Sequence, residues 1–236
     1  MTEEVFHSNA YCRECEAVVT ASTPGTIQLD RTVFYPMGGG QPGDTGTLIF
    51  ADDIEIEVLD TRKGDGEGEI LHIVDEQSSM PEVGSAVTAR INWERRYRHM
   101  RVHTCLHLLC ATVPFGVTGG QIGDGKGRLD FDIADAALDK EAITVELNRL
   151  ISEDHEVGSR WITDAELEAQ PELVRTMSVA PPSDQGSVRL LEIGTIDLQP
   201  CGGTHVSRTG EIGGVVVRKI ENKGKHNRRV NIALVE

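Results

Sequence analysis

The sequence predicts an α+β protein: short antiparallel strands first, then a mixed region of helices and strands carrying candidate metal ligands. Three observations lead there. Residues 1–88 hold β-branched or alternating runs cut by Pro and Gly clusters. The spacing of apolar residues turns helical near residue 93. Two pairs of His and Cys residues at four-residue spacing then lie far apart within the second region.

In the first region, strands are expected at 17–20, 25–29, 32–34, 46–50, 54–59, 69–74 and 86–91, with turns at Pro24-Gly25, 36–43, 64–68 and 81–84. Short strands at this spacing predict a small antiparallel β-barrel over residues 1–92. From 94 to 111, Tyr97, Met100, Arg101, Cys105, Leu108 and Leu109 recur at three- and four-residue intervals without Gly or Pro. That predicts a helix, which Pro114 and Gly116 stop. A strand pair is expected at 121–122 and 127–133. A second helix is expected over 139–156, with Asp139 as N-cap, Glu141 in the first turn and Ile143, Leu147, Leu150 and Ile151 on one face. A short helix at 164–169 ends before Pro171, and strands at 187–193, 195–198, 214–220 and 228–235 complete a second domain over 93–236.

Composition is that of an ordinary folded protein, with 39% hydrophobic and 26% charged residues. No apolar run approaches the ~20 residues a bilayer requires, so no membrane association is expected. The acidic, polar opening is not expected to be a secretory signal, and five cysteines without a disulfide spacing point to the cytoplasm. The net charge of −15 argues against general nucleic-acid affinity, and no DNA partner is expected. Yet residues 90–101 carry net +4 and residues 218–229 net +5, leaving the remainder at −24. Such asymmetry suits a protein that offers phosphates one basic face, and it equally suits two solvated basic stretches.

His103 and His107 form His-x-x-x-His, and on a helix both would project from one face. Cys201 and His205 form Cys-x-x-x-His in a Pro-Cys-Gly-Gly-Thr-His turn, where Gly202 and Gly203 let the backbone approach a ligand closely. Imidazole and thiolate together suit Zn²⁺. A metalloprotease is excluded because Thr104 stands where His-Glu-x-x-His needs its glutamate. Cys12-x-x-Cys15 has no second cysteine pair to complete a zinc ribbon, so strand-edge cysteines are expected there. Gly38-Gly39-Gly40-Gln41 lacks the Lys and Ser/Thr of a phosphate-binding P-loop. It reads either as backbone N–H groups presented to a ligand or as a β-turn with positive φ.

These segments resemble a known family. RVHTCLHLLC, GGQIGDGKGRLDFDI, VRLLEIGTIDLQPCGGTHVSRTGEIG and KIENKGKHNRRVNIALVE resemble the editing module of alanyl-tRNA synthetase, and FYPMGGGQPGDTG resembles the barrel that precedes it. Nearly the whole chain is covered, in order, and it is similar to the freestanding AlaX family, medium-length type. The related threonyl editing module has Arg and Pro in its cysteine loop, where this chain has Gly202-Gly203-Thr204. The resemblance implies hydrolysis of serine or glycine from mischarged tRNA(Ala), with Zn²⁺ on His103, His107, Cys201 and His205. It implies Gln121 as a residue that orients water or the oxyanion, and Thr118 as a reader of the serine hydroxyl. Gly38, Gly39, Gly40, Gln41, Gly202, Gly203, Arg228 and Arg229 are expected to meet the tRNA. A monomer or weak dimer is expected.

Four protein ligands complete a tetrahedron. That leaves open a loosely held ligand, expansion to five-coordination, or an ion that orients the substrate while another water attacks. Cys201 acting as a nucleophile activated by His205 is the competing scheme. A tRNA- or ribosome-binding adaptor with structural zinc, or a threonyl-type deacylase, is the competing function.

Overall fold

The computed structural model describes residues 1–51, 54–134, 137–174, 183–184 and 186–235, and the chain divides into two compact units, Met1–Tyr97 and Arg98–Glu236. In the first, β1 (Glu3–Glu4) pairs in parallel with β4 (Arg31–Thr32). The short helix α1 (Val5–Ser8) follows β1. The main sheet uses β2 (Glu14–Thr23), β3 (Thr26–Leu29), β5 (Gly46–Ile49), β6 (Glu55–Val58), β7 (Asp60–Lys63), β8 (Ile70–Ile73) and β9 (Ala86–Ile91). Their order is β6-β5-β9-β2-β3-β8-β7, antiparallel throughout. Alternation along β9 and β3 sends Val87, Ala89, Ile27 and Leu29 inward to join Val19, Phe34, Leu48 and Val58 in one core.

The small barrel expected here is not shown, because no ladder closes the sheet among the described residues. The reason is local. The two edge strands, β6 and β7, are consecutive in the chain with Leu59 alone between them. One residue cannot reverse the chain into a hairpin, so these edges cannot pair with each other. The sheet must nevertheless curl, since one residue joins its opposite edges.

The helix α2 (Trp93–Thr112) runs from one unit into the next and stops two residues before Pro114. Its start is structural. Arg96 is fully buried, forks onto the Asp44 carboxylate, and donates to the carbonyls of Ala10 and Val33. Arg95 donates to Gly43 O. The basic run at 90–101 is therefore largely committed to holding the chain together: Arg90 pairs with Glu14, Arg98 with Asp124, and Arg101 Nε donates to Ile212 O.

The second unit has a four-stranded antiparallel sheet of β10 (Val117–Gly123), β11 (Lys126–Asp132), β17 (Asn227–Leu234) and β16 (Val215–Asn222), in that order. At Gly127 a Cβ would lie 2.7 Å from Val102 Cγ1 and 3.2 Å from Leu106 Cδ1, so glycine lets α2 press directly on β11. The helix α3 (Lys140–Ser152) begins at Asp139, whose side chain accepts from Ala142 N, and buries Ile143, Leu147, Leu150 and Ile151. A second sheet is built on β14 (Ser187–Ile193), flanked by β12 (Val157–Thr163), β13 (Ser183–Asp184) and β15 (Asp197–Pro200). Between β12 and β13 the short helix α4 (Asp164–Glu168) carries a Thr163–Glu166 capping box. The strand β12 was not expected. Its side chains are exposed apart from Val157 and Ile162, so it lacks the alternation that marks a strand in sequence. No described helix is long and apolar enough to cross a membrane.

Candidate metal centre

Helical periodicity places His103 and His107 one turn apart on α2, and β15 delivers Cys201 and His205 in the turn after its last residue. The structure brings all four together: their ligand atoms lie within 4.8 Å of one another. A closed tetrahedral shell with bonds of ~2.0–2.3 Å spans roughly 3.3–3.8 Å between ligands, so the donors need only a small contraction to share one ion. Cys201 Sγ is 3.5 Å from His103 Nε2 and 3.2 Å from His205 Nε2. The imidazoles are only 5–7% exposed, and Cys201 is half-buried.

The outer shell orients these donors. His107 Nδ1 is 2.9 Å from Asp197 Oδ2, so it carries the proton that the carboxylate accepts and leaves Nε2 for the centre. His205 Nδ1 is 3.2 Å from Thr104 Oγ1. The Thr104 hydroxyl donates to Met100 O and accepts from Val206 N, so its hydrogen is spent and His205 Nδ1 must donate to it. Both rings thus hold the tautomer that presents Nε2. Arg189, buried beneath the turn, donates to the carbonyls of Cys201 and Gly203, while Cys201 N returns a bond to Arg189 O. Sequence reading passed over Thr104 as a support, Asp197 and Arg189. The only signal for Asp197 was its position four residues before Cys201 on a strand, which puts both on one face.

Electrostatics prepares the donor set. Burial raises the Cys201 thiol, but His103, His205 and His107 together pull it well below the ordinary thiol value. Burial would lower His107, yet the Cys201 charge and Asp197 outweigh it and raise the imidazole to about 10. Burial and the His103 charge hold His205 well below 6.5. Without a metal the thiol is thus shifted towards thiolate and His107 towards imidazolium. A sulfur driven towards thiolate and three imidazoles, two of them oriented, fit a single Zn-type ion.

Each of the other expected residues has its own local setting. Gln121 is exposed on β10, accepts from Arg128 Nε at 3.3 Å, and lines a groove of about 930 Å³ with Arg98, Lys126, Arg128 and Arg218; none of the four donors lines that groove. The Thr118 hydroxyl is engaged within the sheet by Asp130 O and Asn227 Oδ1. Gly38 and Gln41 exchange backbone hydrogen bonds across Gly39 and Gly40, whose φ values of 56° and 82° require glycine. The turn reading alone accounts for those two glycines. Gly203 N points at Cys201 Sγ, 3.5 Å away, and Gly202 is the half-buried residue between them. Arg229 forks onto Asp130, which Arg128 also contacts, and Arg228 donates to the carbonyls of Asn227 and Ala134.

Known proteins resemble the chain along its whole length. Residues 188–231 match the family described as "Threonyl and Alanyl tRNA synthetase second additional domain", and residues 4–95 match "tRNA synthetases class II (A)". The chain is 38% identical to the alanyl-tRNA editing protein AlaX-M of Methanosarcina acetivorans, over 100% of both chains. It is 38% identical to AlaX-M of Saccharolobus solfataricus, over 98% of both. It is 36% identical to the alanine–tRNA ligase of Saccharolobus islandicus over 93% of this chain, which corresponds to 25% of that protein. The chain belongs to the AlaX family of alanyl-tRNA editing proteins.

Proposed function

We propose that the protein is a cytoplasmic, monomeric or weakly dimeric hydrolase that removes serine or glycine from mischarged tRNA(Ala). The observation that carries this is the convergence of His103, His107, Cys201 and His205 in a chain related over its full length to AlaX-M proteins. Those four would hold Zn²⁺, which when bound polarises an ester carbonyl and lowers the pKa of water.

The chain's own residues do the rest in this proposal. Cys201 supplies a sulfur already driven towards thiolate, and Thr104 and Asp197 hold two imidazoles ready. Gln121 would orient water or donate to the oxyanion from the groove. Thr118 would read the serine hydroxyl by exchanging one of its present bonds, which would disfavour alanine. Residues 1–92 are proposed as a barrel-like platform whose Gly38-Gly39-Gly40-Gln41 turn meets the tRNA, and 93–236 as the deacylase. Gly202 and Gly203 would admit the substrate end, and Arg228 and Arg229 would face phosphate.

One observation favours the adaptor reading: three of the four ligands are almost fully buried, as in closed structural zinc sites. A deacylation assay separates the two. Ser-tRNA(Ala) and Gly-tRNA(Ala) should release their amino acid in a chelator-sensitive manner, while Ser-tRNA(Ser) should be spared. Tight tRNA binding with no release would leave the adaptor.

A further inference from the structure

We propose that Asp197 is the positioning residue of this centre, fixing the ring of His107 and offsetting the charge of a divalent ion. The inference rests on the metal-binding reading above and deepens it. The Asp197 side chain is fully buried, and its Oδ2 accepts from His107 Nδ1 at 2.9 Å and from Gln199 Nε2 at 2.7 Å. No Lys or Arg pairs with it, and Oδ1 has no hydrogen-bond partner among the described residues. A buried carboxylate with so few partners needs a cation nearby: the raised His107 imidazole without a metal, and the ion itself once one is bound. An ion on one thiolate and three neutral imidazoles carries net +1, and Asp197 brings that to zero.

The backbone explains how one short segment does this. In β15, Asp197 and Gln199 face inward while Leu198 and Pro200 are half-exposed, and the same alternation brings Cys201 to the inner side. One strand thus supplies a ligand, its neighbour's counter-charge and the amide that steadies that charge. The bracing is crossed. The helix ligand His107 is held by the strand residue Asp197, and the turn ligand His205 is held by the helix residue Thr104. Only the first brace is charged, so the two should differ in weight.

The test is zinc affinity, measured by competition with a chromophoric chelator, on the full chain. Asp197→Asn keeps the size and an acceptor but removes the charge. It should weaken Zn²⁺ binding ~10–100-fold and alter the visible spectrum of the Co²⁺ form. Gln199→Leu leaves the charge in place and should stay within about threefold of the parent. Affinity retained in Asp197→Asn, or an equal loss in Gln199→Leu, would overturn the inference alone. Where Asp197→Asn does not fold, Asp197→Glu should bind zinc more tightly than Asp197→Ala, and equal binding would overturn it. A parent protein that binds no zinc removes the metal reading and this inference together.

Discussion

Two buried histidines, one in each unit, end in opposite states. His72 is fully buried in the first unit between neutral partners: Thr32 Oγ1 at 2.8 Å and Ile27 O at 3.1 Å. Burial lowers its pKa to about 4, only partly offset by the Ile27 carbonyl. Because Phe34 N donates to Thr32 Oγ1, that hydroxyl is free to donate onward to His72 Nε2, and a neutral ring satisfies every group. His107 is nearly as buried, yet a thiolate and a carboxylate hold it protonated up to about 10 in the metal-free protein. Burial is common to both, so the sign of the nearest partner decides which histidine can be charged.

The most severe way to break that contrast is to remove the sulfur. Cys201→Ala should abolish deacylation and release the metal, since it deletes a ligand and the charge that sustains His107. Mass spectrometry of the enzyme quenched during turnover should find no acylated protein. A seryl adduct on Cys201, or full activity of the Ala variant, would replace the ligand assignment with a nucleophile.

The opposite histidine is tested by acid. An unfolded histidine titrates near 6.5, so between pH 6.5 and about 4 the unfolded chain binds a proton that native His72 refuses. Stability contributed by this group is present above 6.5 and falls as pH drops through the window, by about 3 kcal/mol in all. Urea unfolding across pH 4–7 should show this in the parent and a flatter profile in His72→Gln. Superimposable profiles would mean that His72 is not the buried neutral group described.

A smaller effect is expected at the neutral brace. Thr104→Val keeps the volume but leaves His205 Nδ1–H unpaired, and should weaken zinc about tenfold, while Thr104→Ser restores it. No change in Thr104→Val would make the tautomer of His205 immaterial.

The weakest effect concerns surface charge, where the same rule about partners applies. Arg229 is already paired with Asp130, whereas Lys126 and Arg218 are exposed beside the groove with no ion-pair partner among the described residues. Neutralising Lys126 or Arg218 should lower the salt slope of tRNA binding by about one contact each, and Arg229→Gln by less. A larger loss at Arg229 would mean that its pair with Asp130 opens to meet phosphate.

The contrast between the basic runs shows where sequence reading lost its grip. Counting charges left 90–101 as either a phosphate-facing or a solvated stretch, but Arg96 lies buried on Asp44, a partner remote in sequence. The helix over 140–152 was legible because its cap and apolar face are encoded within a few turns. The strands of the expected barrel were legible but its closure was not, since strand spacing says nothing about whether edges meet. For Gln121 and Thr118, family likeness named the residues, and the structure places Gln121 in a groove lined by none of the four donors and Thr118 in bonds within the sheet.

By itself, the sequence determined the four metal-competent donors, the helix that spaces two of them and the glycine turn that frees the others. All of these are local: four-residue spacing and residue chemistry suffice. Only the tertiary structure decided that the two half-sites share one point, that Asp197 and Thr104 orient them, and that Arg96 is a strut. Those outcomes depend on which distant carboxylate or hydroxyl lands within 3 Å or so of a ring or guanidinium, and no spacing rule along the chain encodes that.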